Sequence, residues 1–237
     1  MNTAKKAFIM AAGFGSRLRP ATLQTPKPLV RVNGVRIIDT AIRALHENGI
    51  YEIYVVTGYL AECFAGLERE YPGVHVLYNP DYAAGNSITS LYHAREHLGA
   101  CVIMDGDIII RNPKILTPEF ERSCYCCMWM EDTREEWILR HRNWIVTDCL
   151  EEGGTGWALR SISLWTEEDA LRMKDQLTFE YECNGLRNVF WDYVPMLIYP
   201  DQYTIGIRRI REDDMTEIDS FADLCRLDPS YQALKEG

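Results

Sequence analysis

The stretch Ala11–Leu29, AAGFGSRLRPATLQTPKPL, follows the apolar run KAFIMAA at 6–12, which is typical of a buried β-strand. It combines two glycines with two arginines and a lysine. Because glycine has no Cβ, the backbone can turn tightly and bring its N–H groups close to a ligand. Converging N–H groups bind anions, and the cationic side chains add full positive charges. The stretch predicts a loop that binds several phosphates.

Beyond this loop, the first half of the chain alternates strand and helix patterns. The spacing predicts helices at 34–50, 60–73 and 87–99, and strands at 51–58, 74–79 and 100–110. Strands separated by helices favour a parallel sheet with right-handed crossovers. Ligands bind such sheets beyond the carboxyl ends of the strands, where the glycine loop lies. We therefore predict an α/β, Rossmann-like, mainly parallel sheet with helices on both faces.

The second half has a different pattern. Apolar segments predict short strands that extend the sheet and build a lid, at 124–130, 137–143, 144–150, 156–165 and 204–210. Helices are predicted at 166–177 and from 220 to 227. Because no linker separates the halves, we predict one domain over 1–237. About 1–120 would bind a nucleotide, and about 121–237 would form a small β-rich subregion for a second substrate.

Composition and charge exclude several function classes. The chain of 237 residues has a net charge of −10, which makes it a poor binder of nucleic acid. Residues 1–50 nevertheless carry eight Lys and Arg against two Asp and Glu, which suits a small polyanion.

No apolar run approaches the roughly 18 residues that a membrane span needs, and the start reads as a strand rather than a leader. The eight cysteines lack zinc spacing and fit buried free thiols. We expect a cytoplasmic protein with small-molecule partners, without nucleic acid or membrane, and leave its oligomeric state open.

The complete motif GxGxRLxPxTxxxPKPL at 13–29 resembles the signature of sugar-phosphate and related nucleotidyltransferases. Other phosphate loops fit less well, because Leu18 stands where the Rossmann fingerprint has glycine and the Walker GK[ST] is absent. The resemblance implies transfer of a nucleotidyl group from an NTP to a phosphate monoester, with release of pyrophosphate. Since both reactants are anions, such catalysis rests on positioning and electrostatics and requires Mg²⁺.

The resemblance assigns roles within the nucleotide site. Arg17 would bind the β- and γ-phosphates, and Lys27 would neutralise the α-phosphate and the incoming phosphate. The nucleotide-binding set is Ala11, Ala12, Gly13, Gly15, Ser16, Asn86, Ser87 and Asp105. Within it, the Ala11 backbone, Asn86 and Ser87 would read the base, although Ser87 could instead be only a helix N-cap.

Acidic residues follow two predicted strands, in the motifs DGD and TEIDS. By resemblance, one aspartate from each motif holds the catalytic Mg²⁺, which gives Asp107 and Asp219 with Asp105 and Glu217 as neighbours. Asp219 could instead be an ordinary helix-entry residue, and Asp107 a turn residue.

Further motifs narrow the resemblance to the LicC-type CTP:phosphocholine cytidylyltransferases. The glycine loop, GYL, NPDYAAGNSITSLY, DGD, TREEW, FWD and TEIDS occur in the same order over roughly residues 5–226. A quaternary ammonium has no N–H to donate, so proteins bind it with aromatic faces and a nearby carboxylate. All six tryptophans lie in the second half. The family implies choline contacts at Trp137, Trp191, Asp192 and Tyr193, and any of these rings could instead belong to the core.

The leading hypothesis is an Mg²⁺-dependent enzyme that converts CTP and phosphocholine to CDP-choline and pyrophosphate. Phosphoethanolamine or 2-aminoethylphosphonate stays open as the acceptor, because Glu180, Tyr181 and Glu182 could suit a primary ammonium. A sugar 1-phosphate with UTP or dTTP is a further alternative. A non-catalytic nucleotide-binding relative would not need Lys27 or the aspartates, which are present.

Overall fold

Fifteen strands and five α-helices, together with short 3₁₀ helices and one π-helix, lie within residues 1–134 and 136–235, which this computed structural model describes. The strands are β1 Asn2–Thr3, β2 Lys6–Ala11, β3 Arg31–Val32, β4 Val35–Arg36, β5 Glu52–Thr57, β6 Val74–Tyr78, β7 Cys101–Asp105, β8 Ile108–Ile110, β9 Glu119–Phe120, β10 Cys124–Thr133, β11 Ile138–Arg142, β12 Ile145–Leu150, β13 Gly154–Trp165, β14 Gly206–Arg209 and β15 Met215–Glu217. The α-helices are α1 Ile37–Glu47, α2 Leu67–Glu70, α3 Ser87–Ala94, α4 Glu167–Glu182 and α5 Phe221–Leu227. Glu135 of the TREEW motif lies outside the described residues.

Nine strands form one mixed sheet in the order β10-β14-β12-β11-β13-β7-β2-β5-β6. β7, β2, β5 and β6 pair in parallel, and β13 joins β7 in antiparallel orientation. The α/β, Rossmann-like fold class is confirmed. Pairing beyond β7 is mostly antiparallel, because turns rather than crossover helices connect β10 to β13.

Strands β10 and β13 are 10 and 12 residues long, so the prediction of short strands in this half was wrong for them. β10 pairs with both β13 and β14, which closes β10, β14, β12, β11 and β13 into a ring. Two register shifts between β10 and β13 let the strands bend instead of ending.

The structure also differs from two predictions made for the first half of the chain. The helix predicted at 60–73 is a 3₁₀ turn, Ala61–Phe64, followed by the four-residue α2, because Gly66 interrupts it. The strand predicted at 100–110 divides at Gly106, whose N–H donates to the Met10 carbonyl at 2.9 Å. Its second part, β8, pairs with β15 in a separate two-stranded sheet.

Both faces of the parallel strands are covered, which explains their continuous apolar sequences. Ala7, Ile9 and Ala11 of β2 pack in one core cluster with α1, whereas Phe8 and Met10 pack in a second cluster with α3 and α4. The carboxyl ends of these strands remain open on one edge, where the glycine loop begins.

The eight cysteines are free thiols, as predicted. Five are buried, but Cys63 and Cys183 are exposed and Cys149 is intermediate, so the prediction of burial was wrong for these three. Within the described ranges, no helix combines the length and the apolar character that crossing a membrane requires.

Candidate functional site

The glycine loop leaves the carboxyl end of β2 and folds back on itself. Gly15 has a left-handed backbone (φ 60°), and a Cβ there would lie 3.0 Å from Lys27 Cβ and 3.1 Å from Thr22 Cγ2. Thr22 Oγ1 donates to the Gly15 carbonyl at 2.8 Å. Glycine is therefore needed for this close return, which places Arg17 and Lys27 at one cavity.

A cavity of about 600 Å³ opens beyond the strand ends. Its lining includes most of the residues predicted from the sequence: Ala11, Ala12, Gly13, Gly15, Ser16, Arg17, Lys27, Asn86, Ser87, Asp105, Asp107, Trp191, Asp192 and Asp219. Cavities of roughly 300–1,000 Å³ accommodate small ligands, so this one can hold a nucleotide. The structure thus brings the residues predicted to bind the nucleotide and the metal into one place, with part of the predicted acceptor set.

Three carboxylates meet at the edge of this cavity. One oxygen each from Asp107, Glu217 and Asp219 lies within 4.8 Å of the others. Asp107 Oδ1 is buried and has no hydrogen-bond partner among the described residues. Hard carboxylate oxygens of this kind suit Mg²⁺, so the residues present fit a divalent cation. Sequence reasoning placed Glu217 only beside the site, and pairing of β15 with β8, which sets it opposite Ile108, brings it into the cluster.

The sequence left open that Asp219 is only a helix-entry residue, and the local structure argues against this. Ser220 is the N-cap of α5, and its hydroxyl accepts from the Asp223 N–H in a reciprocal capping box. Asp219 lies one residue outside this cap and contributes its carboxylate to the cluster instead.

Two cationic side chains contact the cluster. Lys27 Nζ lies 2.6 Å from Asp107 Oδ2 and 3.9 Å from Asp219 Oδ1, and Lys27 is largely buried. Arg17 Nη2 lies 3.1 Å from Asp219 Oδ1, but 67% of its side chain is exposed. Lys27 is therefore held at the carboxylates, whereas the exposed Arg17 side chain has room to move.

The carboxylates at the edge of the first cavity repel one another. Burial raises the pKa of Glu217 to about 8, and the Asp107 charge adds to the shift, while Arg160 opposes it. Burial also raises the pKa of Asp105, with further contributions from Asp107 and Asp192. The acidic groups are thus short of positive charge, which a divalent cation would supply.

The predicted base-reading segment begins α3. Asn86 is the N-cap, and its side chain accepts from the Ser87 N–H at 2.7 Å. The reading of Ser87 as the cap was therefore wrong by one residue. Ser87 Oγ accepts instead from the Trp191 N–H at 3.1 Å, and the Asn86 N–H donates to the Arg187 carbonyl at 2.7 Å. These bonds join the nucleotide segment to the segment that carries Trp191 and Asp192.

A second cavity of about 140 Å³ adjoins the first, and Asp105, Phe190, Trp191 and Asp192 line both. Its aromatic lining consists of Tyr125, Trp137, Phe190 and Trp191, and its acidic lining of Asp105, Glu136 and Asp192. Aromatic faces combined with carboxylates are suited to an alkylammonium group.

Asp192 lies where the two cavities meet. Tyr125 Oη donates to its carboxylate at 2.7 Å, and burial raises its pKa to about 7. Glu136 and Phe190 also line the second cavity and were not predicted. Each precedes a predicted tryptophan in the sequence, Trp137 or Trp191, and this proximity could have indicated them. Tyr125 lies in an apolar strand, where no sequence signal distinguishes it.

Tyr193 does not line either cavity among the described residues. Its ring packs against Trp137 with centroids 5.1 Å apart, and its hydroxyl donates to Glu151. Trp165 is buried in the core, while Trp129 and Trp144 are exposed. Of the six tryptophans, Trp137 and Trp191 are the two that line a cavity of the site.

The acidic segment considered for a primary ammonium lies elsewhere. Glu180 accepts from Tyr199 Oη at 2.7 Å, and Glu182 accepts from Tyr92 Oη at 2.6 Å. Both belong to α4 and stand apart from the described lining of the two cavities. Any carboxylate for an ammonium in this site therefore comes from the acidic residues of the second cavity.

Comparison with known proteins agrees with this geometry. Residues 7–154 match the MobA-like NTP transferase domain. The 2-aminoethylphosphonate cytidylyltransferase of Lancefieldella rimae is 35% identical over 228 residues, covering 95% of this chain and 92% of the relative. The choline-phosphate cytidylyltransferase of Streptococcus pneumoniae is 32% identical over 225 residues, covering 94% and 96%.

A solved structure extends the likeness to three dimensions. The CTP:phosphocholine cytidylyltransferase LicC of Streptococcus pneumoniae superposes with a TM-score of 0.85 at 31% identity, covering 98% of this chain and 97% of that one. The chain therefore belongs to the nucleotidyltransferases with a MobA-like NTP transferase domain, within the LicC-type cytidylyltransferase family.

Proposed function

We propose that this protein catalyses Mg²⁺-dependent transfer of the cytidylyl group from CTP to phosphocholine, giving CDP-choline and pyrophosphate. The observation that carries the proposal is the aromatic and acidic cavity that shares four lining residues with the glycine-loop cavity. About 1–120 would supply the nucleotide site, and about 121–237 the acceptor site and the second metal ligands. An acceptor with a phosphate at one end and an ammonium at the other would span the two cavities.

The reaction needs alignment more than proton transfer. A phosphate oxygen of the acceptor attacks the α-phosphorus of CTP, the bond from that phosphorus to the bridging oxygen breaks, and pyrophosphate leaves. Because the acceptor phosphate is already ionised, no strong general base is required. Lys27 would neutralise the α-phosphate and the incoming phosphate, and Arg17 would bind the leaving pyrophosphate.

Asp107, Glu217 and Asp219 would hold the Mg²⁺. When bound, the ion neutralises phosphate charge and orients phosphate oxygens. Lys27 contacts Asp107 and Asp219, and Arg17 contacts Asp219. Arriving phosphates would therefore compete for the two cations and draw them from the cluster.

The acceptor assignment rests on how the acidic residues are already engaged. Glu136 is paired with Arg160 at 2.8 Å, and Asp192 accepts from Tyr125. Their oxygens are thus partly used, which favours an ammonium that needs charge and aromatic contact but donates no hydrogen bond. The other candidate acceptor is 2-aminoethylphosphonate, because three carboxylates in one small cavity also suit a primary ammonium.

The test is ³¹P NMR and pyrophosphate release with Mg²⁺ and CTP, offering phosphocholine, phosphoethanolamine, 2-aminoethylphosphonate or glucose 1-phosphate. We expect efficient turnover with phosphocholine and little with glucose 1-phosphate. Trp137→Ala should raise the KM for phosphocholine, whereas Trp129→Ala on the exposed surface should not. Preference for glucose 1-phosphate, or turnover that Trp137→Ala leaves unchanged, would contradict the proposal.

A further inference from the structure

Arg160 connects the carboxylate cluster with the second cavity. It lies on β13 and is 8% exposed, yet it lines neither cavity among the described residues. Its Nη2 lies 2.6 Å from Glu217 Oε2, and its Nη1 lies 2.8 Å from Glu136 Oε1. One buried guanidinium thus holds one carboxylate from each subsite, at the short distances of charge-assisted hydrogen bonds.

We propose that Arg160 is a positioning residue that couples the occupancy of the second cavity to the cation affinity of the Asp107–Glu217–Asp219 cluster. Because the two contacts share one guanidinium, a change at Glu136 alters how strongly Arg160 holds Glu217. When Glu136 loses its charge, Arg160 is compensated by Glu217 alone and competes more effectively with a cation for that carboxylate. When an acceptor group engages Glu136, Arg160 likewise binds Glu217 more strongly, but to a smaller extent.

The identity of residue 160 matters for this coupling. Arginine presents several N–H donors in a rigid planar fork, so it can contact two carboxylates at once. Lysine keeps the charge but carries it on a single nitrogen at the end of a flexible stem. Arg160→Lys therefore separates the bridging geometry from the charge.

The test is a double-mutant cycle read by cation binding, with Mn²⁺ as the probe and free Mn²⁺ counted by electron paramagnetic resonance. Glu136→Gln should weaken Mn²⁺ binding about fivefold in the native background and by less than about twofold in the Arg160→Lys background, as expected for residues in one network. Asp107→Asn identifies the bound ion as the one in the cluster. Glu131→Gln, an exposed carboxylate on β10, should leave Mn²⁺ affinity within about twofold.

An equal effect of Glu136→Gln in both backgrounds would show action through space and overturn the proposal. So would the absence of any effect in the native background. If Arg160→Lys does not fold by circular dichroism, Arg160→Gln, which removes the charged planar fork, replaces it in the cycle. The inference rests on the proposed cation site, but Mn²⁺ binding needs neither CTP nor acceptor. An incorrect acceptor assignment would therefore leave its result intact.

Discussion

Replacing Asp192 with asparagine should impair the use of a cationic acceptor by an amount that depends on pH. Asp192 is partly buried where the two cavities meet, and it accepts a hydrogen bond from Tyr125. Burial raises its pKa to about 7, so the carboxyl is charged above that pH and neutral below it. Because asparagine keeps the shape and loses the charge, Asp192→Asn mimics the protonated acid.

The magnitude follows from the lost charge. A charged carboxylate that contacts a cation in a desolvated site contributes about 2 kcal/mol through charge attraction, which corresponds to roughly 30-fold in kcat/KM. At pH 8 about nine-tenths of Asp192 is ionised, so the kcat/KM of the native protein should exceed that of Asp192→Asn by nearly the whole 30-fold factor. At pH 6 only about one-tenth is ionised, and the ratio should fall to about fourfold.

The assay is pyrophosphate release at saturating CTP, giving kcat/KM for phosphocholine at both pH values and for both proteins. Titration of the acceptor phosphate and of other groups is common to the two proteins and cancels in the ratio. 3,3-Dimethylbutyl phosphate, in which carbon replaces the ammonium nitrogen, is the matched control and should give a ratio near one. A ratio that does not change with pH, or an equal loss with the neutral analogue, would show that the Asp192 charge does not act on the ammonium of the acceptor.

Three other changes test the nucleotide and cation sites. Lys27→Gln should lower kcat by about 100- to 1,000-fold in single-turnover assays, because it removes charge where the transition state needs it. Lys5→Gln makes the same substitution at an exposed lysine and should leave kcat unchanged. Equal rates for the two variants would argue against the role of Lys27. Asp107→Asn should raise the Mg²⁺ concentration for half-maximal rate at least about tenfold, and an unchanged titration curve would place the cation elsewhere. Gly15→Ala should lower both the melting temperature and kcat/KM for CTP, since strain of about 1–2 kcal/mol adds to a contact with Lys27. Gly34→Ala, at φ +85° with nothing within 4 Å of the added Cβ, should affect stability alone.

The sequence predicted the parts of the site that are local in the chain. Gly15, Arg17 and Lys27 belong to one motif, and the rule that ligands bind beyond the carboxyl ends of parallel strands placed that motif correctly in space. Asp107 lies two residues after β7 ends, so the same rule brought it to the cavity.

Other parts depend on pairings that no local pattern contains. Glu217 reaches the cluster through the β8–β15 ladder, which joins segments more than 100 residues apart. Arg160 sits on a 12-residue strand whose partners change along its length, so its two carboxylate contacts depend on three separate segments. The cap of α3 was misplaced by one residue, because Asn86 and Ser87 are both good capping residues and only the backbone decides between them.

A competition assay measures whether the second cavity selects phosphocholine over an aminoethyl acceptor. Equimolar phosphocholine and 2-aminoethylphosphonate are incubated with the protein, Mg²⁺ and limiting CTP, and the two cytidylylated products are quantified by mass spectrometry. Their ratio equals the ratio of the two kcat/KM values. We expect CDP-choline to predominate and Trp137→Ala to reduce its excess. Predominance of the aminoethylphosphonate product would contradict the acceptor assignment and leave the nucleotide and cation sites standing.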